Sequence, residues 1–169
     1  MKEALFEYFE WYMGADYSEL PECPLLDGAD VNFFEGESSD GWYKWRPKDK
    51  VEKYEFSELE DTYDFTLHES IKIYSNSYWF CQLLVDFNEH SYELFPIVPG
   101  NYKPMLSARF SGYFSAHGNE TSFVPIGFST SSSYLLIVEN KTGKLYIESL
   151  NGERELICKN LETFLIEGE

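Results

Sequence analysis

The stretch FSELEDTYDFTLHESIKIYSNSYWF, residues 56–80, decides how this chain folds. Ser57 with Glu60 three residues on has the spacing of a capping box, in which two side chains satisfy backbone N–H groups at a helix start. A helix begun there puts Phe56, Leu59, Tyr63 and Leu67 on one face at about 100° per residue, and that face must be buried. Glu60, Asp61 and Asp64 gather on the opposite side. Glu60 and Asp64 are like charges four positions apart, a spacing that costs a helix about 0.2–0.5 kcal/mol. The chain thus carries an acidic surface that local stability does not ask for. After Leu67-His68-Glu69 the period breaks. Ser70 is placed to cap a second short helix through Ile71, Ile73 and Tyr74, Asn76-Ser77 closes it, and Tyr78-Trp79-Phe80 enters a strand. Helix, kink, helix and strand make a compact nucleus.

Upstream, residues 3–13 read as an amphipathic helix with Leu5, Tyr8, Phe9 and Tyr12 on one side and a stripe of Glu3, Glu7 and Glu10 on the other; Gly14 stops it. Residues 15–40 are loop-like, rich in Pro, Asp and Gly, with a short strand expected at Val31–Phe34. Trp42–Arg46 is strand-like and ends at Pro47, and Lys48–Lys53 forms a basic surface loop. Downstream, Cys81–Phe87 and Tyr92–Val98 read as paired strands joined by Asn88-Glu89-His90. Residues 101–117 return to helical period, with Leu106, Phe110, Tyr113 and Phe114 on one face. Pro104 is tolerable in its first turn, and Gly112 inside it predicts a close helix contact. Ser122–Phe128 is a strand whose Pro125 requires an edge or a bulge. Tyr134–Val138 and Lys144–Glu148 flank the turn Asn140-Lys141-Thr142-Gly143 as a β-hairpin, and Ile157, Leu161, Phe164 and Leu165 mark a closing helix. No repeat or linker divides residues 1–169, so one domain is expected.

The charge balance is 13 − 30 = −17, and the first 40 residues hold 11 acids against Lys2 alone. Such a field repels nucleic acid and anionic membrane and attracts basic partners at raised on-rates; the alternative reading is that the acidity serves solubility alone. Cys23, Cys81 and Cys158 are odd in number and form no C-x-x-C, which fits a reducing compartment better than a zinc site or a disulfide framework. The N-terminus has no signal-peptide pattern and no window reaches the ~18 apolar residues of a membrane span. A cytoplasmic protein is expected. His68, His90 and His117 fall in three different elements without metal-ligand spacing. Gly-rich phosphate loops and the G-x-S-x-G elbow are absent. Neither an enzyme nor a cofactor or metal is expected.

Leu67-His68-Glu69-Ser70-Ile71 followed by Tyr78 resembles the L-H-P-S-I … Y segment of Syd proteins, the SecY-interacting branch of the SUKH superfamily, with Glu69 standing where the pattern has proline. Phe87-Asn88-Glu89 with Tyr92 is similar to that family's W-N-E-x-x-F, and Phe110-Ser111-Gly112-Tyr113 to its apolar-x-Gly helix motif. The Asn140-x-Thr142-Gly143 turn and Lys159-Asn160-Leu161-Glu162-x-Phe164-Leu165 resemble the family's hairpin and its S-N-L-x-E-F-L ending. Leu20-Pro21-x-Cys23-Pro24 and Trp45-x-Pro47 echo it more loosely.

The resemblance implies an α+β fold: a central, mostly antiparallel sheet with helices packed around it. It also implies a protein partner. In the wider superfamily that is a cognate polymorphic toxin, often a nuclease, silenced by an immunity protein; in the Syd branch it is the basic cytosolic loops of SecY, met by an acidic concave face. An acidic inhibitor suits a basic nuclease because it can occupy the ground that phosphates would take. Glu60, Asp61 and Asp64 of the central helix, with Asp86 and Glu89 at the sheet's rim, are the expected partner-binding residues. A small-molecule enzyme acting on a cationic metabolite is the less favoured alternative.

Overall fold

A computed structural model describes residues 1–14 and 20–168, so residues 15–19 of the expected loop region lie outside the described residues. Helix α1 (Lys2–Met13) ends at Gly14, as its periodicity predicts. Strands β1 (Glu22–Pro24), β2 (Glu37–Ser39) and β3 (Trp42–Lys44) form a small sheet in the order β1-β3-β2. Strand β4 (Lys48–Asp49) is followed by α2 (Ser57–Tyr63), α3 (Glu69–Ser75) and β5 (Tyr78–Trp79), and β5 closes back on β4. Then come β6 (Leu83–Phe87), β7 (His90–Leu94), α4 (Tyr102–Ala116), β8 (Phe123–Ser129), β9 (Leu135–Glu139), β10 (Leu145–Glu148), β11 (Arg154–Cys158) and α5 (Leu161–Ile166). The last six strands make one antiparallel sheet in the order β11-β10-β9-β8-β7-β6. The architecture is α+β, with helices on both sheet faces.

Strand alternation assigns the faces. Leu83, Val85 and Phe87 are buried while Leu84 and Asp86 between them are exposed. Tyr92 and Leu94 pair with Val85 and Leu83 and so share the buried side. Helix α5 covers it: the Phe164 ring lies 5.2 Å from Phe87 and 5.5 Å from Tyr92, with α1 packed alongside α5. The opposite face runs through the cross-strand row Leu84, Glu93, Phe128, Leu135 and Glu148. Helix α4 covers its far end, where Tyr113 and His117 reach Glu148.

Several local expectations are corrected by packing. Helix α2 starts at Ser57, but no side chain caps it. Glu60 reaches forward instead, its Oε1 accepting hydrogen bonds from the Leu67 amide at 2.7 Å and Lys72 Nζ at 2.7 Å. A carboxylate that gains an ammonium as well as an N–H makes the stronger, charge-assisted bond. Helix α3 is capped by His68 rather than Ser70: His68 Nδ1 accepts from the Ser70 amide at 3.2 Å. Glu69 is the first helical residue there, the position where proline is favoured, so this departure from the family pattern leaves the helix start intact. Val31–Phe33 is a 3₁₀ turn capped by Asp30, not a strand. Gly112 faces open space, and an added Cβ would meet nothing within 4 Å, so no close helix contact explains it. By contrast, the edge-or-bulge expectation for Pro125 holds: strand β8 is interior, and the register shifts between Pro125 and Gly127. Ile157 belongs to β11 rather than to the closing helix. Lys50, in the expected surface loop, is buried.

Two of the segments that carry the family resemblance meet each other. The His68 amide donates to Asn140 Oδ1 at 2.7 Å, and Asn140 Nδ2 donates to the Thr66 carbonyl. Gly143, at φ 74°, lies under the His68 ring, so close that a Cβ would stand 2.4 Å from Cε1. The α2–α3 link is thereby locked onto the β9–β10 turn. Cys23, Cys81 and Cys158 are buried and free.

Candidate functional site

The five acids singled out from the sequence fall into two groups. Glu60 is engaged inside the molecule, bridging α2 to α3. Burial alone would raise its carboxyl, but Lys72 and the Leu67 amide hold it below the ordinary value. Asp61 is exposed on α2, and Asp64 is exposed where α2 ends in left-handed backbone at φ 53°. Asp86 projects from the edge strand β6 and accepts a hydrogen bond from Ser91 Oγ. Glu89 is exposed in the two-residue β6–β7 turn, where Asn88 and Glu89 both have positive φ, 50° and 66°, as a type I′ hairpin requires.

Register places these groups apart. The β6–β7 turn is at the end of the sheet where β8 finishes, because Tyr92 pairs with Ser129. The α2–α3 link docks on the β9–β10 turn, at the end where β8 begins. The α2 acids and the Asp86–Glu89 pair therefore belong to opposite ends of the sheet.

A different acidic surface is assembled by α1 and α5. At about 100° per residue, Phe6, Glu10, Glu3, Glu7 and Trp11 occupy one continuous arc of α1, while Leu5, Tyr8 and Phe9 fill the buried side. Phe6 is 51% and Trp11 55% exposed, so two large aromatic side chains flank a row of surface carboxylates. The neighbouring α5 adds exposed Glu162, Ile166 and, at its C-cap, Glu167, and Glu162 is tied to the N-terminal ammonium at 2.5 Å. The helix pair is seated firmly: Phe9 packs at 5.4 Å from Tyr78 and 5.7 Å from Phe80, and Tyr8 Oη donates to the Leu84 carbonyl. Exposed aromatics bordered by charge have the anatomy of a protein interface. Sequence reading saw the glutamate stripe; the sign it passed over was that Phe6 and Trp11 fall outside the buried arc.

Among the described residues, no three His, Cys, Asp or Glu side chains stand together as a metal site. Among the same residues, no helix is long and apolar enough to cross a membrane.

The family model described as Syd protein (SUKH-2) matches residues 2–168, and the chain belongs to that family. No curated protein matches it.

Proposed function

We propose that this Syd-family protein works by stoichiometric binding, with no catalysis of its own, as an immunity protein that occupies and silences a basic toxin domain in the cytoplasm. The observation that supports this reading is the outer face of α1 and α5, where Glu3, Glu7, Glu10, Glu162 and Glu167 lie beside exposed Phe6, Trp11 and Ile166. A net charge of −17 steers a cationic partner from a distance, and the aromatic side chains supply the desolvated anchors that charge alone does not. A nuclease is a fitting target, because its phosphate-binding ground would be covered by these carboxylates. Coexpression with the toxin domain encoded beside its gene tests the reading: protection of the cell and a one-to-one complex are expected. A toxin left fully active by an excess of folded protein would refute it.

Membership of the Syd branch favours a second reading, in which the same acidic face meets the basic cytosolic loops of SecY. It requires salt-sensitive binding to SecY loop peptides, and an absence of binding at low salt removes it.

A further inference from the structure

The basic segment Lys48–Lys53 is the one stretch of concentrated positive charge in an acidic chain, and the partner-binding reading makes no use of it. It is stitched to the nucleus by backbone and side chains. The Lys50 amide donates to the Ser77 carbonyl at 3.1 Å, and Asn76 exchanges hydrogen bonds with both backbone groups of Tyr54 at 2.8 and 3.0 Å. This brings Lys50 and Lys53 against the start of α4, where Lys103 stands, and the three lysines line one cleft of about 190 Å³. Trp79, Tyr102 and Tyr54 form its walls.

Lys50 is the built part of this cleft. Only 3% of it is exposed, and its ammonium lies 4.3 Å from the Trp79 ring centre and 4.2 Å from that of Tyr102. It makes one hydrogen bond, to the Ser75 carbonyl at 2.9 Å, and no carboxylate pairs with it among the described residues. An ammonium has three donors, and beyond this bond its partners among the described residues are the two ring faces rather than a charged acceptor. Helix α4, 15 residues long, points its N-terminus at the same cleft; no side chain caps it and no acid lies in its first turn. Its end carries about half a positive charge. Opposing acids are Glu52 on the rim and Glu58, which holds Lys103 at 2.8 Å.

We propose that this cleft is an oxyanion site that takes a phosphate group, with Lys50 as its central donor and Lys53, Lys103 and the α4 N-terminus around it. The volume fits such a group and falls short of the roughly 300 Å³ at which pockets for drug-sized molecules begin. Burial, with Lys53 beside it, pushes the Lys50 ammonium down to about 7, against a smaller upward pull from Glu52. The other titratable groups lining the cleft are Tyr54, on the same segment as Lys53, and Tyr102 and Lys103 from α4. An arriving anion supplies the missing counter-charge, so binding weakens as pH rises through that value.

Calorimetric titration of the whole protein with inorganic phosphate and with phosphoserine, at ionic strength held constant with chloride, tests this. Millimolar or tighter binding is expected; equal affinities mark a free ion as the ligand, and tighter phosphoserine binding marks a phosphomonoester. Sulfate, whose charge is constant over the range, serves for the pH series. Lys50→Met keeps the aromatic box filled and should lose at least about tenfold in affinity. Lys53 Nζ also holds the Lys50 and Asn76 carbonyls at 2.7 and 2.6 Å, so the second variant is Lys103→Gln on α4, which should lose a similar factor if Lys50→Met does not fold. Absence of phosphate binding, or equal binding by wild type and the folded variant, overturns the proposal. These titrations need no toxin or SecY, so they stand or fall separately from the partner-binding reading.

Discussion

Replacing Glu148 with glutamine removes a negative charge from the interior while leaving the side chain's shape unchanged. The Glu148 side chain is 3% exposed and accepts from three donors: Arg154 Nε at 2.6 Å, His117 Nε2 at 2.7 Å and Tyr113 Oη at 2.9 Å. These bonds tie β10 to β11 and to the C-terminal end of α4. A glutamine can accept from some of them, but its NH₂ then faces another donor. Tyr113, only 6% exposed, cannot turn to water, and an orphaned buried hydroxyl costs about 1–3 kcal/mol. Arg154 is better placed, keeping Glu120 at 3.8 Å and the Phe123 ring at 4.0 Å, so its loss belongs at the low end. The expected destabilisation of Glu148→Gln is therefore about 2–4 kcal/mol, or a fall in Tm of roughly 5–12 °C for a chain of this size.

The effect has a pH signature. Burial pushes the Glu148 carboxyl up, but Arg154, Tyr113 and His117 outweigh it and hold it below 4.5. A depressed carboxyl stabilises the fold above its unfolded value, and the contribution is lost as pH falls through the folded value. Urea unfolding of both proteins should show a wide gap near pH 7 that narrows below about pH 4. A gap under about 0.5 kcal/mol at neutrality, or one unchanged in acid, would refute the account of this network.

Glu89→Gly should raise stability by about 1 kcal/mol, because residue 89 sits in left-handed backbone at φ 66° where a side chain is strained; an unchanged or lower Tm rejects that. Gly143→Ala should destabilise by about 1–3 kcal/mol, since its Cβ would collide with the His68 ring, and His68→Ala in the same chain should recover part of the loss. A double-mutant cycle that shows no coupling places the strain elsewhere. Reversing Glu3 and Glu7 to lysine should slow association with a basic partner about tenfold or more at low salt, with the rates converging at high salt and Tm little changed. Unaltered association kinetics would make the α1 stripe a solvated face only. Trp11→Ala should cost about 2 kcal/mol or more of affinity if the ring is an anchor, read by titration with the same partner; affinity equal to wild type removes it from the interface.

The order of elements was legible because burial imposes a local rule on each one. Leu5, Tyr8 and Phe9 announce α1, Leu106, Phe110 and Phe114 announce α4, and Leu83, Val85 and Phe87 alternate as a half-buried strand must. The misreadings were of partners distant in sequence. The spacing of Ser57 and Glu60 has the form of a capping box, but no side chain caps the helix, because a lysine twelve residues further on offers Glu60 a stronger bond. Pro125 is read rightly as needing an edge or a bulge, and the neighbouring strands decided for the bulge. Lys50 reads as one more surface lysine until Trp79 and Tyr102 close over it.

From the sequence alone came the run of helices and strands, the excess of negative charge and the resemblance to the Syd family, which in turn implied the α+β class; the first three depend on residue type and near-neighbour spacing. Only the tertiary structure decided which carboxylates share a surface. Strand order and register carry Asp61 and Asp64 to one end of the sheet and Asp86 and Glu89 to the other, while the packing of the first helix on the last ties Glu162 to the start of the helix that carries Glu3, Glu7 and Glu10. An exposed acid obeys no periodic constraint of its own, so its neighbours are fixed by how the buried faces beneath it come together.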